Sequence, residues 1–147
     1  KVIAADSFIE KVDVSVVFFD GQSITNTIVS QSLESVFKEA DFITLHVPAQ
    51  EGYIIGAAEL EIMKPGVGIV NCARGGVIDE VALVKALDSG KVLFAGLDVF
   101  ENEPNPEITI LMNQKISLTP HIGAATLEAQ DRIGTELASQ IISILKN

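Results

Sequence analysis

The fold of this chain is decided by residues 68–97, GIVNCARGGVIDEVALVKALDSGKVLFAGL. A short apolar run over 68–71 is followed by apolar residues at helical spacing over 80–89, and then by a second apolar run over 92–97. Asp79 is a suitable N-cap for that helix, and Gly90 is a suitable residue for its C-terminal end. Two strands joined by a helix predict a right-handed βαβ unit, in which the two strands run parallel.

The same alternation continues on both sides of this unit. Apolar runs over 42–46 and 115–119 predict further strands. Apolar residues at helical spacing predict helices over 33–40 and 57–63, and a long one from about 126 to 145. Strands that alternate with helices predict an α/β fold with a doubly wound parallel sheet.

The first thirty residues have a different pattern. Residues 1–5 form a short apolar run, which predicts a buried strand that ends at Asp6. Every second residue over 12–18 is apolar, and the turn dipeptide Asp20-Gly21 follows before a segment rich in Thr and Val. This arrangement predicts a β-hairpin within residues 11–30.

Composition limits the class of protein. The chain has 147 residues, the length of one domain, and its 48% hydrophobic content predicts a globular protein. Its formal net charge of −10 argues against nucleic acid or an acidic membrane surface as a partner. No apolar run approaches the roughly 18 residues of a membrane-spanning helix. The single cysteine, Cys72, excludes an internal disulfide and favours a cytoplasmic location.

Three ionisable residues follow three successive predicted strands: Arg74, Glu103 and His121. In open α/β sheets, ligands bind along the edge formed by the carboxyl ends of the strands. An arginine can hold a carboxylate, a histidine can exchange a proton near neutral pH, and a glutamate can orient that histidine. We therefore interpret the three as a catalytic site, although each alone is more often an ordinary loop residue. Composition alone leaves Glu101 open as the partner of the histidine.

Other polar residues at strand ends are candidates for ligand binding. Asp6 could accept hydrogen bonds from ribose hydroxyls, and Asp98 could bind an amide, although both also suit local turns. His46 has no acid close to it in sequence, and Cys72 has no base beside it, so we predict neither an acid–base pair nor a nucleophile there. The sequence predicts no metal site, because no grouping has the spacing of metal ligands.

The segments NCARGGVIDE from residue 71, GLDVFENEP from residue 96 and TPHIGAAT from residue 119 occur in this order and spacing. Together they resemble the signatures of the D-isomer-specific 2-hydroxyacid dehydrogenases, and the resemblance covers residues 1–9 and 32–145. It implies that Arg74 binds the substrate carboxylate and that His121 is the catalytic acid and base. It also implies that Glu103, rather than Glu101, pairs with this histidine.

The resemblance further implies NAD as the cofactor. It puts Asp6 on the adenosine ribose and Asp98 on the nicotinamide carboxamide. The other residues that it places along the cofactor are His46, Val47, Pro48, Cys72, Ala73, Arg74, His121 and Gly123.

The implied reaction is hydride transfer between NAD and a D-2-hydroxy acid, in the first place 3-phosphoglycerate of serine biosynthesis. Glyoxylate, hydroxypyruvate or another 2-keto acid is the alternative, because the residues that select the substrate would lie largely in a substrate domain that this chain lacks. An alternative of another class is an NADH-sensing binding or assembly module.

The chain has no glycine-rich phosphate loop, and the resemblance begins at the second strand of the cofactor domain. We therefore expect residues 1–147 to be a partial Rossmann-type dinucleotide-binding domain that lacks the first βα unit. Residues 11–30 would be an insertion atypical of the family. We expect the piece to belong to a longer protein, to be inactive by itself, and to associate as a homodimer.

Overall fold

The structure is a computed structural model that describes residues 1–146. It contains a β-hairpin, then helices alternating with the strands of a parallel sheet, and a long last helix. In chain order the elements are β1 Lys11–Val17, β2 Ser23–Val29, α1 Leu33–Glu39, β3 Phe42–Leu45, α2 Ala57–Ile62, β4 Val67–Asn71, α3 Glu80–Ser89, β5 Val92–Leu97, α4 Ile108–Leu111, β6 Ile116–Leu118 and α5 Leu127–Leu145.

The main sheet has four parallel strands in the order β3-β4-β5-β6. In the middle of the sheet, Ile69 of β4 lies opposite Ile43 of β3 and Ala95 of β5, and all three residues are buried. α3 packs on β5, α2 contacts both α1 and α3, and the fully buried Leu83 and Leu87 belong to this core. The predicted α/β fold with a parallel sheet is confirmed.

The ends of α3 follow from its flanking residues. The Asp79 carboxylate accepts a hydrogen bond from the Ala82 N–H at 2.9 Å, which satisfies one of the free donors of the first turn. At the other end Gly90 has a φ of 78°, a left-handed conformation that glycine adopts without strain. The helix therefore has the limits that its caps predict, and it fixes the loop that precedes it.

The hairpin forms a separate two-stranded sheet in which β1 and β2 run antiparallel. On one face the side chains of Ser15 and Thr25 are hydrogen-bonded at 2.7 Å, and Thr27 donates to Asp13 at 2.6 Å. The opposite face carries the alternating apolar residues of β1, which are exposed.

The prediction of a buried strand over residues 1–5 is wrong. Ala4 forms an isolated bridge with Ser30, and its carbonyl accepts a hydrogen bond from the Gln31 N–H at 2.8 Å, but Lys1 and Val2 are exposed. Backbone pairing at a single residue on one side does not build a ladder, so the apolar run remains irregular.

Candidate active site

The site lies at the carboxyl edge of the parallel sheet. Because β4, β5 and β6 are parallel neighbours, their C-terminal ends meet at the same edge. The arginine loop (residues 72–79) follows β4, and the glutamate loop (residues 98–103) follows β5. The histidine loop (residues 119–123) follows β6.

The side chains of Glu103 and His121 form a hydrogen-bonded pair at this edge. His121 Nδ1 lies 2.7 Å from Glu103 Oε2, and the other carboxylate oxygen, Oε1, accepts a hydrogen bond from the Phe100 N–H at 2.9 Å. The hydrogen bond with His121, followed by that from Phe100, lowers the pKa of Glu103 below its ordinary value. An ionised carboxylate can only accept, so the imidazole hydrogen in this pair is on Nδ1. Nε2, which has no hydrogen-bond partner within residues 1–146, is then the nitrogen that can exchange a proton with a ligand.

Asp98 fixes the histidine loop. Its Oδ1 accepts hydrogen bonds from Thr119 Oγ1 at 2.6 Å and the Ile122 N–H at 2.9 Å, and its Oδ2 accepts one from the Gly123 N–H at 2.9 Å. Burial acts to raise the pKa of Asp98, but the three hydrogen bonds outweigh it and hold the pKa below its ordinary value. Between these anchors His121 has a φ of 54°, a left-handed conformation uncommon for a residue with a side chain. Asp98 therefore holds the backbone of His121 in a conformation of low intrinsic preference.

The arginine loop is fixed by a buried amide. Asn71, at the end of β4, accepts a hydrogen bond from the Ala73 N–H at 3.1 Å and donates one to the Arg74 carbonyl at 3.0 Å. The Arg74 guanidinium donates through Nη1 to the Ala73 carbonyl at 2.6 Å. Its other N–H groups have no partner in the described part of the chain, so they can bind an anionic ligand.

Gly75 packs the arginine loop against the glutamate loop. A Cβ atom at this position would lie 1.9 Å from the Phe100 carbonyl oxygen, which leaves room only for glycine. The N–H of the same Phe100 binds Glu103, so this residue contacts both the arginine loop and the carboxylate of the pair.

Glu101 has contacts of its own that do not include His121. Its Oε1 accepts a hydrogen bond from the Glu80 N–H at 2.8 Å, and its Oε2 accepts one from the Tyr53 hydroxyl at 3.2 Å. In return, Glu80 Oε1 accepts a hydrogen bond from the Glu101 N–H at 2.8 Å. The carboxylate beside the imidazole is that of Glu103, the residue that the family resemblance implies.

The residues expected along the cofactor include a carboxylate with a free oxygen. Asp6 Oδ1 accepts hydrogen bonds from the Phe8 and Ile9 N–H groups, while Oδ2 has no partner within residues 1–146. The Ser30 hydroxyl accepts a hydrogen bond from the Asp6 N–H at 2.8 Å and donates one to its carbonyl at 3.0 Å, so the hairpin's return strand anchors this residue. An exposed carboxylate oxygen held in this way fits a ribose hydroxyl of a dinucleotide.

The other expected cofactor residues, unlike Asp6, follow strands of the parallel sheet. His46 is exposed, with Nε2 3.0 Å from Thr44 Oγ1, and Val47 after it is half-buried. Pro48 and Cys72 are exposed. The buried Asp98 already accepts three hydrogen bonds, which leaves about one acceptor position on Oδ2 for an amide donor. Asp98 and Arg74 thus bring an acceptor for a carboxamide and a cation to the carboxyl edge of the sheet, whereas Asp6, the acceptor for a ribose, lies before the hairpin and outside the sheet. The chemistry of these groups fits NAD.

Within 1–146, no group of three or more His, Cys, Asp or Glu side chains is arranged to hold a metal ion. No helix in the same range is both long and apolar enough to cross a membrane.

The sequence reasoning missed Asn71, Glu80 and Thr119. Asn71 is a polar residue at a strand end, the same signal that singled out its neighbours. Glu80 and Thr119 act on residues 21 positions away, Glu101 and Asp98 respectively, so no local spacing marks them.

Comparison with protein families settles the class of this domain. Residues 4–123 match the family model of the D-isomer specific 2-hydroxyacid dehydrogenase, NAD binding domain. The chain belongs to this family. The predicted family and cofactor class are therefore confirmed, and the relatives are oxidoreductases.

Among the relatives, a hydroxypyruvate reductase of Thermotoga maritima is 46% identical over 150 aligned positions, which cover 99% of this chain and 45% of that protein. A D-3-phosphoglycerate dehydrogenase of Methanocaldococcus jannaschii is 48% identical over 116 residues, which cover 78% of this chain and 22% of that protein. The solved glyoxylate reductase from Paecilomyes thermophila superposes with a TM-score of 0.68 at 43% identity, covering 79% of this chain and 34% of that one. The chain thus spans less than half the length of these relatives.

Proposed function

We propose that the protein containing this chain transfers a hydride between NAD and a D-2-hydroxy acid. The observation that carries the proposal is the 2.7 Å hydrogen bond between His121 and Glu103, on the sheet edge where the loop of Arg74 also lies. These three residues would be the catalytic groups. An NADH-sensing binding module would have no need of an imidazole oriented by a carboxylate.

His121 would exchange the proton of the substrate hydroxyl through Nε2, since Nδ1 is bound by Glu103. In reduction of a keto acid, the protonated imidazole donates its Nε2 proton to the carbonyl oxygen. In oxidation, the neutral imidazole takes that proton back. Glu103 keeps the ring in the required tautomer and stabilises its positive charge. When bound, the nicotinamide supplies or accepts the hydride.

Arg74 would hold the substrate carboxylate. A guanidinium can form two parallel hydrogen bonds with a carboxylate, which fixes both the position and the rotation of the substrate. Its positive charge would also stabilise the oxygen on which negative charge develops. The backbone bonds of Asn71 and the close approach of Gly75 support this role by fixing the loop that carries the arginine.

The first candidate substrate pair is 3-phosphoglycerate and its 2-keto acid, as in the D-3-phosphoglycerate dehydrogenase relatives. The second is hydroxypyruvate, and the relative aligned over 99% of the chain, a hydroxypyruvate reductase, favours it. Initial rates of NADH oxidation by the whole protein with both keto acids and glyoxylate test the proposal. We expect one of the phosphorylated or unphosphorylated three-carbon acids to have the highest kcat/KM. A whole protein that binds NADH but reduces none of the three would contradict it.

Assembly and location are proposals of the same kind. We propose that the whole protein is a cytosolic homodimer and that residues 1–147 alone are inactive, since they include no glycine-rich phosphate loop. The apolar row Ile133, Leu137 and Ile141 of α5 is 47–54% exposed, which is typical of a face covered by another part of an assembly. Sedimentation velocity should give a dimer for the whole protein, and a strictly monomeric profile would contradict self-association.

A further inference from the structure

We infer that Glu80 and Glu101 are positioning residues that clasp the arginine loop to the glutamate loop, and so set the distance between Arg74 and the Glu103–His121 pair. This inference rests on the proposed function, since it assigns these two carboxyl groups a part in the same site. Neither would touch the substrate or the cofactor.

The clasp, Glu80 with Glu101, is reciprocal. Each side chain accepts a hydrogen bond from the backbone N–H of the other residue, and both distances are 2.8 Å. Glu80 is the first residue of α3, directly after the arginine loop, and Glu101 lies within the glutamate loop. Two backbone segments 21 residues apart are therefore joined by two reciprocal hydrogen bonds.

A second contact lies beside the clasp and makes the connection stiff. The Cα of Gly75 packs so closely on the Phe100 carbonyl that no side chain fits, and the Phe100 N–H binds Glu103. The arginine loop and the glutamate loop are thus connected at two places. Gly75 packs on the backbone of Phe100, and Glu80 is hydrogen-bonded to Glu101. A shift of either loop would change the distance between the substrate-binding and proton-transfer groups.

The burial of Glu80 indicates that an acceptor is needed at this place. The residue is 6% exposed, and its Oε2 has no hydrogen-bond partner in the described part of the chain. The charged groups that face it are carboxylates, namely Glu101, Glu107 and Glu103, and Tyr53 is bound to Glu101. Burial raises the pKa of Glu80 above its ordinary value; the hydrogen bond from the Glu101 N–H opposes this shift, and the neighbouring carboxylates add to it. A buried acid without a cation is unfavourable, so an apolar residue would serve better if packing were its only role.

The decisive variants are Glu80→Ala and Glu80→Gln in the whole protein. Alanine removes the acceptor and leaves the Glu101 N–H unpaired. Glutamine keeps an acceptor oxygen on a side chain of the same length, and this side chain carries no charge. We expect Glu80→Ala to lower kcat for keto acid reduction about 10-fold, because small displacements of catalytic groups are costly, with the Kd for NADH within about twofold. Glu80→Gln should recover kcat to within about threefold of the wild type.

A matched control separates positioning from stability. Leu60→Ala opens a cavity under α2, an element that contributes no residue to either loop, and should lower Tm at least as much while leaving kcat near the wild-type value. Should Glu80→Ala fail to fold, Glu101→Ala is the alternative, because it removes the acceptor of the Glu80 N–H and lies in a loop rather than in a helix. It should give the same loss of kcat. If both fold, the double variant should be no slower than either single one, because both break one unit.

The outcomes distinguish this inference from the function beneath it. A wild-type protein inactive toward every keto acid would overturn the proposed function. An active wild type with an unchanged kcat in Glu80→Ala, a loss matched by Leu60→Ala, or no recovery in Glu80→Gln would overturn the clasp alone.

Discussion

Replacing Glu103 by glutamine is the closest test of the hydrogen-bonded pair that Glu103 forms with His121. The carboxylate uses both oxygens, one for His121 Nδ1 and one for the Phe100 N–H. Glutamine has a single acceptor oxygen, so one of the two donors must lose its partner. The substitution also removes the negative charge that stabilises the imidazolium.

The expected size of the effect follows from the pair's geometry. A hydrogen bond to a charged group contributes about 1.5–3 kcal/mol, and the side chains of Glu103 and His121 are 34% and 49% exposed, so screening favours the lower end of that range. We expect kcat/KM for keto acid reduction to fall roughly 10- to 30-fold at neutral pH.

The assay is steady-state NADH oxidation by the whole protein from acid to alkaline pH, with NADH affinity measured separately. Glu107→Gln is the matched control, since it removes one nearby negative charge from an exposed side chain that does not contact His121. If Glu103→Gln matches the wild type within about twofold at every pH, the reasoning about tautomer and charge is refuted.

Three further predictions concern the loops around the pair. Arg74→Lys should raise KM for the keto acid about 10-fold in initial-rate assays, because an ammonium group cannot form two parallel hydrogen bonds with the carboxylate. An unchanged KM would contradict the role of Arg74 in binding the substrate carboxylate. Gly75→Ala should lower the unfolding free energy by about 3 kcal/mol or more in urea titrations, since its Cβ would lie 1.9 Å from the Phe100 carbonyl, whereas Gly134→Ala, with open space around it, should not. The lowered pKa of Asp98 stabilises the fold above its ordinary value of 3.8, and this contribution disappears as pH falls through the folded pKa. The stability lost in Asp98→Asn should therefore shrink in that acid range, and a pH-independent difference would count against it.

Local signals in the sequence account for most of the fold. Asp79 and Gly90 mark the ends of α3 because capping depends on neighbouring residues only, and the buried run of β4 needs no distant information. Alternation over residues 12–18 likewise indicates strand, and β1 is there. The apolar run over 1–5 shows the limit of such signals, because a strand also needs a partner along its length, and here only Ala4 is bridged.

The site was predictable in position but not in detail. The order of strands and loops places Arg74, Glu103 and His121 on one edge, whichever carboxylate binds the imidazole. Spacing could not decide between Glu101 and Glu103, since both lie in the same short loop, and the structure separates them by their different hydrogen-bond partners. The clasp could not be predicted from the sequence, because Glu80 and Glu101 are 21 residues apart and meet only through the topology of the fold.

The central claim is that His121, oriented by Glu103, transfers the proton that accompanies hydride transfer. Its most direct test is the single-turnover rate constant of keto acid reduction by the NADH-loaded whole protein, compared with that of His121→Ala. We predict a fall of about 10²- to 10⁴-fold, with NADH affinity unchanged, because a general acid supplies that much of the rate. A variant that keeps its rate constant within about threefold of the wild type would contradict the account.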